Sequence, residues 1–458
     1  MEKPWVAVLA AGAGTRMNSS LPKVLHLICG KPLLWHVLAS AKEVSDNQVI
    51  VTGFGSGQVK EYFGKGYFYA LQDRQLGTGH ALKMALPSLP GEGEVLVLCG
   101  DTPLLDGNLL KNLLARHRES GASATVLTAV LDNPSGYGRV IRSPVGGVER
   151  IVEELDANPE QRKVREINTG GYCFDLRMLK ELLPALPVNA QKGEYYLTDL
   201  IPVMLKLGLR VEACLADDPR LALGINDHVQ LSEAAAIMRQ RINERLMYAG
   251  VAMIDPATVY IDAGVEVDRN TVIYPQTILE GKTKVAGGCR LGPGTHLVDT
   301  QVEKDVVCRQ SVVLESRISE GALVGPFAHI RPGSVIGPGV KIGDFVEIKN
   351  STIGRGSKIP HLSYVGDARM GAAVNMGAGC IVVNYDGMKK HPTIVEDGAF
   401  VGCNSNLVAP LTVGEGAFIA AGSTVSRDVP PGALAISRSR QENKDGLAKR
   451  FLRKKEGN

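Results

Sequence analysis

At 458 residues the chain exceeds the roughly 100 to 200 residues of one compact core, so two large domains are expected. Apolar residues at 44% and charged residues at 22% suit a soluble globular protein, whereas 5% aromatics and 52 glycines call for a part rich in turns and poor in large side chains. The net charge of +3 hides a basic end: Arg438 onward carries eight Lys/Arg against three Asp/Glu, with no basic stripe elsewhere and no recognition motif, so nucleic acid is not an expected partner. That end is either a solvated terminus or one that meets an anionic ligand.

The first apolar run, Trp5 to Ala10, is too short for a signal-peptide core, and no apolar stretch approaches ~18 residues. Eight scattered cysteines form no C-x-x-C pair and no His/Cys cluster of metal-ligand spacing. The expectation is a cytoplasmic chain with reduced thiols and no membrane span.

Up to about residue 225, short apolar runs alternate with helical periods: Trp5 to Leu9, Gln48 to Val51, Glu94 to Leu98 and Ala124 to Leu127. This β/α alternation predicts a Rossmann-like, mostly parallel sheet covered on both faces, with ligands at the carboxyl ends of its strands. From Asp227 to about Gly250 the apolar positions fall at helical spacing, which reads as a connecting helix.

Beyond it the period becomes six: Val306, Val312, Ile318, Val324, Ile330, Ile336, Ile342 and Ile348 are consecutive aliphatic positions at that spacing. The register slips around residues 350 to 400 and resumes at Val401, Leu407, Val413, Ile419 and Val425. Hexapeptide repeats predict a left-handed parallel β-helix in which each six residues form one flat side of a triangular coil, over about nine or ten rungs. The expected domains are therefore 1–226, a helical linker at 227–250, and a β-helix with a basic tail at 251–458.

After Leu9 comes the glycine-rich turn Ala10-Ala11-Gly12-Ala13-Gly14-Thr15-Arg16-Met17, with Pro22-Lys23 close behind. Backbone N–H groups at such a turn favour anions, and glycines let a nucleotide approach the main chain. Neither the third glycine of the dinucleotide fingerprint nor a P-loop is present. Arg16 and Lys23 supply two cations to a phosphate chain. Asp101, in Cys99-Gly100-Asp101 after a buried run, is a candidate Mg²⁺ ligand together with a distant amide such as Asn226, although an Asp there could instead cap the next helix.

In the β-helix, Arg331 and Lys349 lie eighteen residues apart, one full rung, and two cations so stacked suit a phosphate. Polar groups accumulate in the register break: His361, Tyr364, Asn375, Asn384, Tyr385, Asp386 and Lys389. His361 is a candidate general base. On repeat pattern alone the β-helix could equally be a scaffold.

The turn from Leu9 to Met17 with Pro22-Lys23 resembles the sugar-1-phosphate nucleotidyltransferases. Leu71-Gln72, Leu76 to Ala81, Tyr137-Gly138-Arg139, Ile151-Val152-Glu153 and Glu166 to Gly170 narrow this to the bacterial bifunctional N-acetylglucosamine-1-phosphate uridylyltransferase/glucosamine-1-phosphate acetyltransferases, a resemblance running from near residue 5 to about 440. The resemblance implies a chain that acetylates glucosamine 1-phosphate with acetyl-CoA and then transfers UMP from UTP to the product. It implies that Leu9, Ala10, Ala11, Gly12, Gln72, Gly77 and Thr78 hold the uridine part, and that Cys99, Gly100 and Asp101 belong to the same nucleotide-sugar site. Gly138, Glu153 and Asn168 would hold N-acetylglucosamine, and Asp101 and Asn226 would hold Mg²⁺. In the second site it implies Arg331, Lys349, Tyr364 and Asn375 on glucosamine 1-phosphate, His361 as base, and Asn384 and Tyr385 on the acetyl group. Acetyl-CoA would lie along Ala378, Cys403, Ala421 and Arg438, where Cys403 departs from the family's Ser. A trimer through the β-helix, with acetyl-transfer sites between subunits, is the implied assembly. The alternative is a nucleotidyltransferase whose β-helix only organises or regulates it.

Overall fold

The computed structural model describes residues 3–451 except 145 and 190–192. The last part of the basic tail, residues 452–458, lies outside the described residues. The chain divides into two compact units, residues 3–241 and 242–451 as described, with the division inside one long helix, His228–Tyr248.

The first unit is built on a nine-stranded sheet. Its strands are β1 (Trp5–Ala10), β2 (Gln48–Thr52), β3 (Phe68–Leu71), β4 (Glu94–Cys99), β5 (Ala124–Val130), β6 (Gly138–Arg142), β7 (Val148–Val152), β8 (Glu166–Asp175) and β9 (Val211–Leu215). The order is β9-β5-β8-β4-β1-β2-β3, with β6 attached to β8 and β7 to β6. The strands β4, β1, β2 and β3 are parallel, as are β9 and β5. Their near-continuous apolar sequences follow from burial on both faces: Val95 and Val97 point into one core, Leu96 and Leu98 into the other. The exceptions to the parallel expectation are β8, which runs antiparallel between β4 and β5, and the β8–β6 and β6–β7 pairs, which are antiparallel as well. The pairing of β8 with β5 shifts between Asn168 and Gly171, where Gly170 takes φ +80°, and this bulge re-aims Asn168 at the end of the sheet.

In the second unit three sheets of eleven, ten and nine short strands stack in parallel, the three sides of a left-handed β-helix of hexapeptide repeats. Ile318, Val324, Ile330, Ile336, Ile342 and Ile348 all point inward and are at most 2% exposed. The spacing breaks down earlier. Val312 faces out, and Cys308 and Val313 take the inward places, because the sides from Cys308 to Val313 and from Val313 to Ile318 have five residues instead of six. Val306 is buried at the preceding corner.

The interruption expected over 350–400 is narrower than its sequence suggests. Ile353, Ile359, Val365, Met370, Met376 and Val382 keep the inward ladder going through further five-residue sides. What leaves the coil is the excursion Asn384 to His391, closed by a Tyr385–Lys390 bridge. Across it strand partners lie 25 positions apart (Val382 and Leu407), against 17 for Tyr364 and Ile381 one turn earlier. Among the described residues no helix is long and apolar enough to cross a membrane.

Replacing Ile348 by Ala deletes a fully buried side chain beneath Lys349. The expected cost is about 2–5 kcal/mol in the β-helix unfolding transition. Urea unfolding followed by circular dichroism checks it.

Candidate active sites

At the carboxyl ends of β1 and β4 the first unit has a cleft of about 380 Å³. Leu9, Ala10, Ala11, Gly12, Arg16, Lys23, Gln72, Gly77, Thr78, Cys99, Asp101 and Asn226 all line it. The turn after β1 is shaped by Gly14, which takes φ +64° and whose Cβ would lie 2.5 Å from that of Lys23. This close approach brings Lys23 into the cleft. A Cβ at Gly12 would meet nothing, so that position leaves open space along the backbone.

The charges converge on two oxygens. Lys23 Nζ, itself largely buried, forms an ion pair with Asp101 Oδ2 and donates to Asn226 Oδ1 at 2.9 Å, and Arg16 donates to the same amide oxygen at 2.7 Å. Asp101 does not cap the following helix. That role falls to Asp106, which accepts from the Leu109 N–H at 2.8 Å. Asp101 and Asn226 therefore offer a carboxylate and an amide oxygen to one cation-sized place, held here by an ammonium. No group of three His, Cys, Asp or Glu suited to a metal occurs among the described residues, so a metal here would take most of its ligands from phosphate and water, as Mg²⁺ does. The residues present fit that ion.

Gly138, Glu153 and Asn168 form an adjoining group on β6, after β7 and on β8. Gly138 and Asn168 are strand partners, and a Cβ on Gly138 would sit 3.4 Å from the Glu153 carboxylate. The fully buried Arg139 pairs with Glu154 at 2.7 Å and also donates to the Tyr137 carbonyl, tying together the residues next to Gly138 and Glu153. Cys99 connects the two regions, with a Cβ on Gly170 reaching to 2.6 Å of its sulfur; burial pushes the thiol up to about 12, so it stays neutral. Gly100 serves through its backbone, donating to the Leu9 carbonyl at 2.9 Å. Sequence reasoning missed Gln75 and Glu194 in the cleft, and Thr198, which donates to Glu153 at 3.0 Å. No local motif marks them; the fold brings them in from a later segment or a neighbouring turn.

In the β-helix, Arg331 and Lys349 extend the paired strands His329–Ile330 and Glu347–Lys349, one rung apart as their spacing required. Lys349 also has the Lys390 ammonium beside it, which holds its pKa below the usual lysine value, and Arg331 adds to the effect. Glu347 pairs with Arg331 at 2.9 Å. Three cations thus crowd one place, an arrangement that an anion would relieve.

His361 stands in register with Asp344 on the preceding rung, and its Nδ1 lies 2.6 Å from Asp344 Oδ1. This contact holds the Asp344 carboxyl below the usual carboxylate range. In a neutral imidazole, an Nδ1–H that donates to the carboxylate leaves Nε2 as the unprotonated nitrogen, the form a general base needs. Asp344 was not singled out from the sequence, although a residue seventeen before His361 is its rung neighbour.

Tyr364 pairs along the same face with Glu347, and Asn384 Nδ2 lies 3.5 Å from its hydroxyl and 2.6 Å from Asp367. Gly366 makes room: a Cβ there would come within 2.3 Å of that hydroxyl. Asn375 lies one rung beyond Lys358 on the His361 side. Tyr385 is not drawn into this group, since its hydroxyl donates to the Gly387 carbonyl within its own loop. Ala378, Cys403 and Ala421 stack in a column, the Asn404 N–H donating to Ala378 and the Gly422 N–H to Cys403, both at 2.8 Å. Cys403 is exposed, and Arg438 passes within 3.9 Å of where a Gly422 Cβ would stand.

Fold and sites together define a nucleotidyltransferase domain joined to a hexapeptide-repeat acyltransferase. Residues 6–169 match the family model described as MobA-like NTP transferase domain, and residues 315–350 match the bacterial transferase hexapeptide (six repeats). The chain is similar to the Bifunctional protein GlmU of Heliobacterium modesticaldum, 52% identical over 450 residues that cover 98% of each chain. It is likewise similar to that of Geobacillus thermodenitrificans, 50% identical over 99% of this chain and 100% of the other, and to that of Bacillus velezensis, 50% identical with the same coverage. The chain belongs to the GlmU family of bifunctional acetyltransferase/uridylyltransferases.

Proposed function

We propose that the β-helix acetylates glucosamine 1-phosphate and that the first unit then transfers UMP from UTP to the N-acetylglucosamine 1-phosphate formed, giving UDP-N-acetylglucosamine and pyrophosphate. The observation that carries the first-unit assignment is the convergence of Arg16 and Lys23 on the oxygens of Asp101 and Asn226. The sugar phosphate is already an anion, so its oxygen attacks the α-phosphorus of UTP without a strong base, and the P–O bond to pyrophosphate breaks. Arg16 and Lys23 bind and orient the phosphate chain, and Lys23 exchanges its Asp101 partner for phosphate oxygens as the nucleotide enters. Asp101 and Asn226 would hold Mg²⁺, which when bound supplies charge neutralisation to the phosphates. Leu9 to Gly12, Gln72, Gly77 and Thr78 hold the uridine, and Gly138, Glu153 and Asn168 the sugar.

In the second site Arg331 and Lys349 hold the phosphate of glucosamine 1-phosphate, with Tyr364 and Asn375 on the sugar. Its amine attacks the thioester carbonyl of acetyl-CoA, the C–S bond breaks, and His361 Nε2 accepts the amine proton while Asp344 orients the ring. Asn384, with the backbone of Tyr385, places the acetyl group; Ala378, Cys403, Ala421 and Arg438 line the coenzyme's path. A β-helix serving only as scaffold would have no need of the Asp344–His361 pair or of three crowded cations.

The assembly is a homotrimer. In support, Phe327 and Phe345 stack with ring centres 5.4 Å apart while each remains more than half exposed, and Leu362 continues the column beside Asp344 and His361. Light scattering on the purified chain should give three times the 48.9 kDa chain mass; a monomer would refute this reading.

Asp101→Asn should lower uridylyl transfer by a factor of about 10² or more, as expected from several kcal/mol of lost charge neutralisation, and leave acetyl transfer within about twofold. Separate coupled assays for pyrophosphate and free CoA read the two activities. His361→Ala should do the converse, reducing acetyl transfer by about 10² to 10⁴ at neutral pH with little change in the KM for glucosamine 1-phosphate. Acetyl transfer near wild type would make the histidine structural.

A further inference from the structure

Gln72 is 4% exposed and is one of the residues that line the nucleotide cleft. Its amide nitrogen lies 3.0 Å from the Gly77 carbonyl oxygen and 3.1 Å from His80 Nδ1. A carbonyl only accepts, so the nitrogen, not the oxygen, must face Gly77, and that removes the ambiguity of an amide flip. The second N–H then points at His80, whose Nδ1 must be the unprotonated nitrogen. The imidazole is kept in place by stacking on Tyr195, with ring centres 6.2 Å apart and planes at 26°. Gly77 itself sits at φ +93°, where any Cβ would strike the Tyr195 carbonyl at 2.6 Å, so the accepting carbonyl belongs to a rigid turn.

Both amide hydrogens of Gln72 are thereby used inside the chain. Its Oε1 accepts no hydrogen bond from any described residue, and it is the one polar atom of the side chain left for a ligand.

We infer that His80 is a specificity-determining positioning residue: by accepting the second Gln72 N–H it holds, together with the Gly77 carbonyl, the amide in the orientation in which this side chain offers a pyrimidine an acceptor and no donor. This rests on the reading above that Gln72 faces the uracil. Uracil carries a hydrogen at N3 and donates it to Oε1. Cytosine has a lone pair at N3, which would face the Oε1 lone pairs with no hydrogen between them. A buried polar atom left unpaired in this way gives strong discrimination.

The test compares kcat/KM for UTP, CTP and N3-methyl-UTP with N-acetylglucosamine 1-phosphate as acceptor. Wild type should favour UTP over N3-methyl-UTP by about a hundredfold or more. Equal use of the two overturns the proposal without any variant. His80→Leu, its fold verified by circular dichroism and melting, removes one of the two acceptors and leaves the amide held by the Gly77 carbonyl alone, and should raise the CTP/UTP ratio at least about tenfold. His80→Asn puts an amide oxygen near the place of Nδ1 and should restore the wild-type ratio to within about twofold, a rescue that a merely structural histidine would not require. An unchanged ratio in folded His80→Leu, with Gln72→Ala still raising the KM for UTP, overturns the role of His80 and keeps the nucleotide reading. An unchanged KM for UTP in Gln72→Ala overturns the nucleotide reading itself.

Discussion

Parallel in-register pairing between successive turns of the coil governs the second half of this chain. Each strand is only two to four residues long and would be worthless alone. Stacked in sheets of nine to eleven, the strands satisfy one another's backbone groups while one inward, mostly aliphatic side chain from each side fills the interior. The arrangement turns distance along the chain into a ruler, since residues 16 to 18 apart become neighbours. Arg331 meets Lys349, and Asp344 meets His361, because the backbone pairs hold them so. Function is therefore written on the outer surface at rung spacing, while the interior stays uniform.

The excursion from Asn384 to His391 is the place where that ruler is deliberately broken. Asp386 accepts from the backbone N–H groups of Met388 and Lys389 and lies 2.7 Å from His391, which gives the loop an internal frame and holds the Asp386 carboxyl far below its usual range. The rigid coil on either side fixes where the loop leaves and returns. Asn384 and Lys390 thus reach the cluster around Tyr364, Asp367 and Lys349 without disturbing the inward ladder.

The first unit reaches an equally exact placement by another route. Its parallel strands end along one edge, and the turns leaving β1 and β4 deliver Lys23 and Asp101 to the same cleft from positions 78 residues apart. Asn226 comes from just before the long helix to complete the set. Opposite charges in partly buried surroundings hold one another there, so the cleft is ordered by its own side chains.

Much of this was legible in the sequence because periodicity reports directly on burial. Continuous apolar runs marked β1, β2, β4 and β5, and the six-residue period marked the coil, since one inward aliphatic per side is what closes it. The glycine-rich turn was legible because Gly14 must adopt a left-handed backbone against Lys23. What the sequence could not show was where five-residue sides replace six, which turned Val312 outward and made the register appear lost beyond residue 350. Nor could it show that β8 inserts antiparallel with a bulge at Asn168, that Asp106 and not Asp101 caps the helix, or that Tyr385 bonds its own loop. Asp344, Thr198 and the Gln72–His80 pair belong to the same class. Local sequence determines which side chains are apolar and where the backbone must turn, whereas which polar groups face one another depends on strand pairing between distant segments, and only the folded chain decides that.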